Sequence, residues 1–334
     1  MRLLIKVCVV LAVLWCGWWW LAATIAERSV TGWFDARRTE GWQAKTRSVE
    51  VSGFPLRLGT TVSDIALADP DTGVAFDASA LTLSVPAYWP GDVTLRLPED
   101  TVRLATPDGT LTLKAQGAQA DLRLHPGTAL ELEELSAVSG PWQANDLRGN
   151  LLSADDLRVA ITQDASMPAR YRFALDATTL TPGDVIRNAL VLPNDWPLSF
   201  DAFVADITVL FDLPLDRTTL EDRRPQPRAV DLTEVDLIWG ALRLNAKGGL
   251  QIAMDGTPDG NLNLRLENWR QILDLAEKAG FVDAGLRQQG ELLLNALANM
   301  SGGPDTMDLT LAFRDGGMFL GPIYLRPAPK IMLH

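Results

Sequence analysis

Along most of this chain, apolar and polar side chains alternate with a period of two. Leu242, Leu244 and Ala246 interleave with Arg243, Asn245 and Lys247, and Leu262, Leu264 and Leu266 with Asn263, Arg265 and Glu267. A strand turns successive side chains to opposite faces, so each such run predicts a half-buried strand. The pattern recurs at Leu81 and Leu83, Leu95 and Leu97, Leu111 and Leu113, Leu122 and Leu124, and Leu309, Leu311 and Phe313. Between these runs lie Asp69 to Gly73, Pro107-Asp108-Gly109, Lys247-Gly248-Gly249, Gly256 to Gly260 and Asp315-Gly316-Gly317, all built from turn-forming residues. Turns this closely spaced favour hairpins between neighbouring strands, hence a long antiparallel meander of roughly 14 to 16 strands rather than parallel strands with helical crossovers.

Three segments switch to a helical period. Thr181-Pro182-Gly183-Asp184 reads as an N-cap, a first-turn proline and an acidic third position ahead of Val185, Ile186, Ala189 and Leu190. Asn268 and Gln271 form a similar capping pair before Trp269, Ile272, Leu273 and Ala276. Asp283 opens the third, with Leu286, Leu293, Leu294 and Leu297 on one face and Gly302-Gly303 as its stop. The charged, proline-punctuated stretch around residues 217–228 is the best place for an exposed loop or for a boundary between two similar halves, each of strands followed by a short helix.

The N-terminus breaks the pattern altogether. Val7 to Ala26 contains no charged residue, and its 20 positions cover about 30 Å as a helix, the thickness of a bilayer's hydrocarbon core. A cleaved signal peptide shares the charged start and apolar centre, with Thr24 and Ala26 as small residues for cleavage. This run is longer than the usual signal core, and Trp15, Trp18, Trp19 and Trp20 suit the interfacial belt of a retained membrane anchor. Trp15 also occupies the position before Cys16 where a lipoprotein site needs a small residue. Arg2 and Lys6 precede the run, so the positive-inside rule predicts a cytoplasmic N-terminus and an exported remainder. The helix is expected to continue past the bilayer through Trp33, Phe34 and Arg38 and to end near Gly41, giving a 1–41 anchor and a 42–334 β-rich domain. Trp33, Phe34 and Trp42 are then placed either to rest on the membrane surface or to pack on the first strands.

Composition adjusts this picture rather than changing it. The chain is 47% hydrophobic with a net charge of −12, globular and acidic, which repels phosphate backbones and makes nucleic acid a poor partner. Both cysteines, Cys8 and Cys16, lie in the apolar N-terminal run, so the β-rich domain has no thiol for a disulfide or a thiolate metal site. Histidine occurs only at His125 and His334, too sparse for a histidine-based metal site or a catalytic triad. Asp69-Pro70-Asp71-Thr72-Gly73 has the start of a calcium loop, yet Ala80 stands where the bidentate glutamate belongs, so a hairpin turn is expected. Glu131, Glu133, Glu134, Asp155 and Asp156 are read as solvated faces rather than paired catalytic acids. The sequence therefore predicts no enzyme, no cofactor and no metal.

A resemblance sharpens the expectation. Val51-Ser52-Gly53-Phe54-Pro55-Leu56-Arg57-Leu58, Trp239-Gly240-Ala241-Leu242-Arg243-Leu244, Leu264-Arg265-Leu266-Glu267-Asn268-Trp269 and Asp315-Gly316-Gly317-Met318-Phe319-Leu320-Gly321-Pro322 together resemble an uncharacterised bacterial family of membrane-anchored envelope proteins. That architecture is in turn similar to the AsmA-like proteins, which have an N-terminal anchor and a long periplasmic sheet curved into a groove. The resemblance implies a role in envelope lipid handling and carries over no site residues. The expected fold is mainly β: a long curved antiparallel sheet with a few short helices behind one transmembrane helix, forming either a β-groove or a folded-over sandwich. In the groove form, Leu242, Leu244, Leu262, Leu264, Leu309, Leu311 and Phe313 line the site and a membrane lipid or acyl chain is the ligand. The expected location is the bacterial inner membrane, single-pass, with the bulk periplasmic. The alternative is a scaffold that docks another envelope protein through exposed strand edges.

Overall fold

The computed structural model describes residues 2–89, 91–107, 109–192, 196–221, 224–278, 305–321 and 323–333. Arg2–Thr39 is one unbroken helix, long and apolar enough to cross a membrane. It stops where the sequence predicts, because Gly41 takes φ +94° and its amide, with that of Trp42, closes back on the Arg38 and Arg37 carbonyls at 3.1 and 3.0 Å. The third helix predicted from Asp283 lies outside the described residues.

Among the described residues the remainder forms a single antiparallel sheet of 21 strands. That exceeds the expected number because segments such as Gln43–Lys45 and Thr181–Pro182 are too short to show an alternation. From Leu157–Asp164 onward the sheet is close to the predicted meander. Met167–Asp176, Ala202–Phe211, Pro227–Trp239, Leu242–Ile252, Pro258–Glu267, Thr306–Arg314, Gly317–Leu320 and Ile323–Pro327 add to it in turn. Ala202–Phe211 and Pro227–Trp239 pair with each other, and in the segment between them the Leu215 amide donates to the Tyr171 hydroxyl at 3.0 Å while its carbonyl accepts from the Leu132 amide at 2.7 Å.

The first half departs from the meander. Arg57–Asp69 and Val74–Pro86 pair along nearly their full length, and beyond Val74–Pro86 the sheet forks. Asp92–Arg96 pairs with its Thr82–Ser84 end, whereas Val102–Thr106 pairs with Ala75–Asp77. A long arm continues through Gln119–Leu124 and Leu132–Ser139 into Leu157–Asp164. A short arm runs through Gly109–Ala115, Trp142–Asp146, Gly149–Ala154 and Thr181–Pro182. The chain thus passes back and forth between two arms. At the level of the fork Asp64 has φ +50°, paired with Arg47 at 2.6 Å, and burial steps from Thr60 and Val62 to Ile65 instead of keeping strict alternation. A left-handed residue in a strand re-aims the side chains that follow. Both halves of the hairpin consequently present apolar groups to the same helix: Val30 and Phe34 pack on Val62, Ile65, Leu67, Phe76 and Leu81.

The cap predicted at Thr181 is also different. Thr181 pairs with Ser153 in the sheet, and the helix Asp184–Ala189 begins after Gly183, which provides no side-chain cap. Gly183 is required because a Cβ there would lie 2.3 Å from the Asn150 carbonyl oxygen. Asn268 does precede the Trp269–Lys278 helix, and its side-chain amide donates to the Ala241 carbonyl.

Candidate functional site

The strand register lines up apolar side chains across the whole long arm. One row runs Leu83, Leu95, Ala120, Ala137, Val159, Leu175, Ala205, Val235, Ala246, Leu264, Leu309, each directly opposite the next. Beside it run Val93, Leu122, Leu135, Ile161, Phe173, Ile207, Leu232, Gly248, Leu262, Leu311 and Leu320. Cross-strand partners share a face, so these two rows form one apolar track. Thr233 and Glu234 sit in a bulge between Leu232 and Val235, and the extra residue keeps both on the track.

The opposite face is charged. Arg123 pairs with Glu134 at 2.9 Å, Arg158 with Asp176 at 3.4 Å, Lys247 with Glu234 at 3.8 Å and Arg265 with Asp308 at 3.5 Å. Arg172 and Asp206 form a further pair, and the guanidinium holds the Asp206 carboxyl below its ordinary pKa. One face is therefore made for water and the other is not.

Covering of the apolar face is uneven. At its start, Ser29, Val30, Trp33 and Phe34 of the long helix stand over Val62, Leu81 and Leu83 and enclose a cleft of about 400 Å³. Leu83 faces Leu95, and Leu95 with Leu97, Leu113, Ala115, Trp142 and Leu157 lines a second cavity of about 210 Å³ between the two arms, with Gln119 and Ser139 its polar members. At the far end, Trp269 and Leu273 pack on Leu244, Leu266, Met307 and Leu309, while Ala328 and Ile331 pack on Val230, Leu250, Leu262, Leu311 and Phe313. Between these ends every track residue from Leu95 to Val235 is half-buried.

The residues singled out from sequence fall as follows. Leu242, Leu244, Leu262, Leu264, Leu309, Leu311 and Phe313 all lie on the apolar face, at its far end, where Leu242 and Phe313 are buried and most of the others join the covered clusters. The central, half-buried part is built instead by residues such as Ile161, Phe173 and Ile207. Trp15, Trp18 and Trp19 donate their indole hydrogens to the carbonyls of Pro55 at 2.9 Å, Ala87 at 3.3 Å and Arg57 at 2.9 Å, and Trp20 is exposed. Phe34 is buried against the first strands, and Arg37 lies over the rings of Trp33 and Trp42.

The acidic residues are absorbed by local structure. Asp156 accepts from the Thr178 amide at 2.7 Å, which keeps its pKa low, and pairs with Arg158. The Asp69 carboxylate accepts from the Asp71 amide and the Thr72 hydroxyl in the expected hairpin turn. His125 contacts the Gln163 side-chain oxygen at 2.6 Å, and Gln163 in turn donates to the hydroxyl of the fully buried Tyr171 at 3.1 Å. Among the described residues no group of three or more histidine, cysteine, aspartate or glutamate side chains could hold a metal ion.

A family profile matches residues 19–329, nearly the whole chain. The chain belongs to the DUF2125 family, described as an uncharacterized protein conserved in bacteria. The match takes in the last part of the long helix, both arms of the fork and the far end of the track. No curated protein and no solved structure matches the chain.

Proposed function

We propose that this DUF2125 protein is anchored in the bacterial inner membrane by its N-terminal helix, with the sheet in the periplasm, and holds or passes the acyl part of a membrane lipid along the apolar track. The observation that carries this reading is the uninterrupted register of the two apolar rows, half-buried in the middle and capped at both ends. Ten strand-to-strand steps at about 4.8 Å give a track of about 48 Å, three times the roughly 15 Å half-thickness of bilayer hydrocarbon that one acyl chain spans. Aliphatic side chains with few polar neighbours suit such a chain and give little purchase to a polar ligand. The positive residues Arg2 and Lys6 before the span support the cytoplasmic placement of the N-terminus, and the resemblance to AsmA-like proteins points the same way.

Native mass spectrometry of the full chain, purified in a mild detergent and stripped of it in the instrument, tests the reading. Discrete additions of phospholipid mass are expected on the wild type and are lost from Ile207→Asn. A bare protein mass, or additions unchanged by the substitution, would refute lipid binding on the track.

A second reading rests on the final strand. Among the described residues, Ile323–Pro327 pairs on one side only, with Gly317–Leu320, and Tyr324 and Leu325 are exposed. An edge of this kind can accept a strand from another envelope protein. Crosslinking from Tyr324 that captures one defined protein would favour that role.

A further inference from the structure

The tryptophans of the membrane segment do not all face lipid. Trp15, Trp18 and Trp19 are hydrogen-bonded to the loops at the lower end of the first long hairpin, and Trp19 meets Phe54 edge-on with ring centres 5.3 Å apart. Those loops are residues 53–56, where Arg57 closes on Gly53 at 3.0 Å, and residues 86–89, tied to the first by the Ala87 amide on the Leu56 carbonyl at 2.8 Å. Their apolar side chains point outward: Phe54 is 54% exposed, Leu56 62% and Tyr88 72%. Such exposure on a β-rich domain would be costly in water.

The depth of this tip follows from the helix. Trp15 to Phe34 spans about 28 Å at 1.5 Å per residue, and over that length the helix lies along the first strands, with Phe34 at the upper end and Trp15 at the lower. Trp15 and Trp19 fall inside the charge-free run that ends at Ala26. A membrane around that run therefore also meets the tip. Satisfied indole donors at that depth are what a low-dielectric surrounding demands.

We propose that the tip formed by residues 53–56 and 86–89 is seated in the membrane leaflet on the side of the β-rich domain, with Phe54, Leu56 and Tyr88 in lipid beside the anchor helix. It is a wedge held by the tryptophans. Seating it there brings the first track residue, Leu83, within about 10 Å of the leaflet, three residues along the strand from Pro86, so an acyl chain leaving the bilayer has a short apolar step onto the track. The inference rests on the anchor part of the proposed function and not on lipid occupying the track.

The test uses the full chain with Cys8→Ala and Cys16→Ala, reconstituted in vesicles of phosphatidylethanolamine and phosphatidylglycerol in equal parts. Single cysteines at Leu56→Cys, Tyr88→Cys, Leu11→Cys and Asp71→Cys carry the fluorophore NBD, and a phosphatidylcholine with a shallow doxyl label is the quencher. Quenching at Leu56→Cys and Tyr88→Cys is expected to reach at least half that at Leu11→Cys, with none at Asp71→Cys on the opposite end of the hairpin. Quenching at Leu11→Cys alone overturns the tip and leaves the anchor standing. Absence of quenching at Leu11→Cys overturns both, and equal quenching at Asp71→Cys overturns tip-first seating.

Discussion

Single residues set conditions the sheet must meet. Tyr171 is fully buried, and burial raises its phenol pKa although the Leu215 amide and Gln163 both donate to its oxygen. An acid whose pKa is raised by folding adds stability below its unfolded value, about 10, and loses it as pH rises beyond that. Melting temperature is therefore expected to fall as pH is taken above about 10, and Tyr171→Phe should flatten that fall in a scan of melting temperature against pH. Gly248 is another constraint, since with φ +146° a Cβ would come within 2.3 Å of the Asn261 carbonyl oxygen. The bare backbone lets two strands approach closely at the point where the second apolar row has no side chain. Neither role was visible in sequence: Tyr171 looks like any strand aromatic, and Lys247-Gly248-Gly249 looks like a turn where the chain runs straight on through Leu242–Ile252.

Elements were legible in proportion to how local their causes are. The helix, its stop at Gly41, the Asp69–Gly73 turn and the leucine-rich strands all follow from spacing within a few residues. The fork does not, because the partner of Leu95 across one edge is Ala120 and that of Trp142 is Ala115, and nothing near either residue announces it. The central track was hidden for a related reason. It mixes Ala120, Ala137 and Ala205 with branched and aromatic residues, so its alternation is faint in any one strand and appears only when the strands are aligned. The anchoring of the helix to the sheet depends on Phe34, and Phe34→Ala is expected to cost about 3–5 kcal/mol, read as a lower unfolding midpoint of the β-rich domain. The C-terminal segment is held by Lys330 on Asp255, which lowers the Asp255 pKa, and by Leu333 on Gln226 at 3.0 Å. A depressed carboxylate keeps its contribution above the ordinary carboxyl range and loses it only as pH falls through the lowered value. Because the pair is exposed and Ala328 and Ile331 are also packed on the sheet, Asp255→Asn should speed amide exchange at residues 328–333 only modestly at neutral pH, and the wild type should show the same rise only in acid.

At the scale of the molecule, the accessible surface is 19665 Å², against about 13,500 Å² expected of a compact globule of this mass. The projecting helix and a sheet with one face left half-buried both add to that surface. With a twist of roughly 20° between neighbouring strands, ten steps wind the track through roughly half a turn, so its two capped ends face different directions while the register stays continuous. The measurement closest to the central claim is photocrosslinking in cells with benzoylphenylalanine placed on either face of two neighbouring strands, Met167–Asp176 and Ala202–Phe211. At Phe173 and Ile207, on the track, phospholipid adducts are expected by mass spectrometry of the purified protein, and at Arg172 and Thr208, on the charged face, none. Absence of lipid adducts from the track positions, or equal adducts from both faces, would contradict the account.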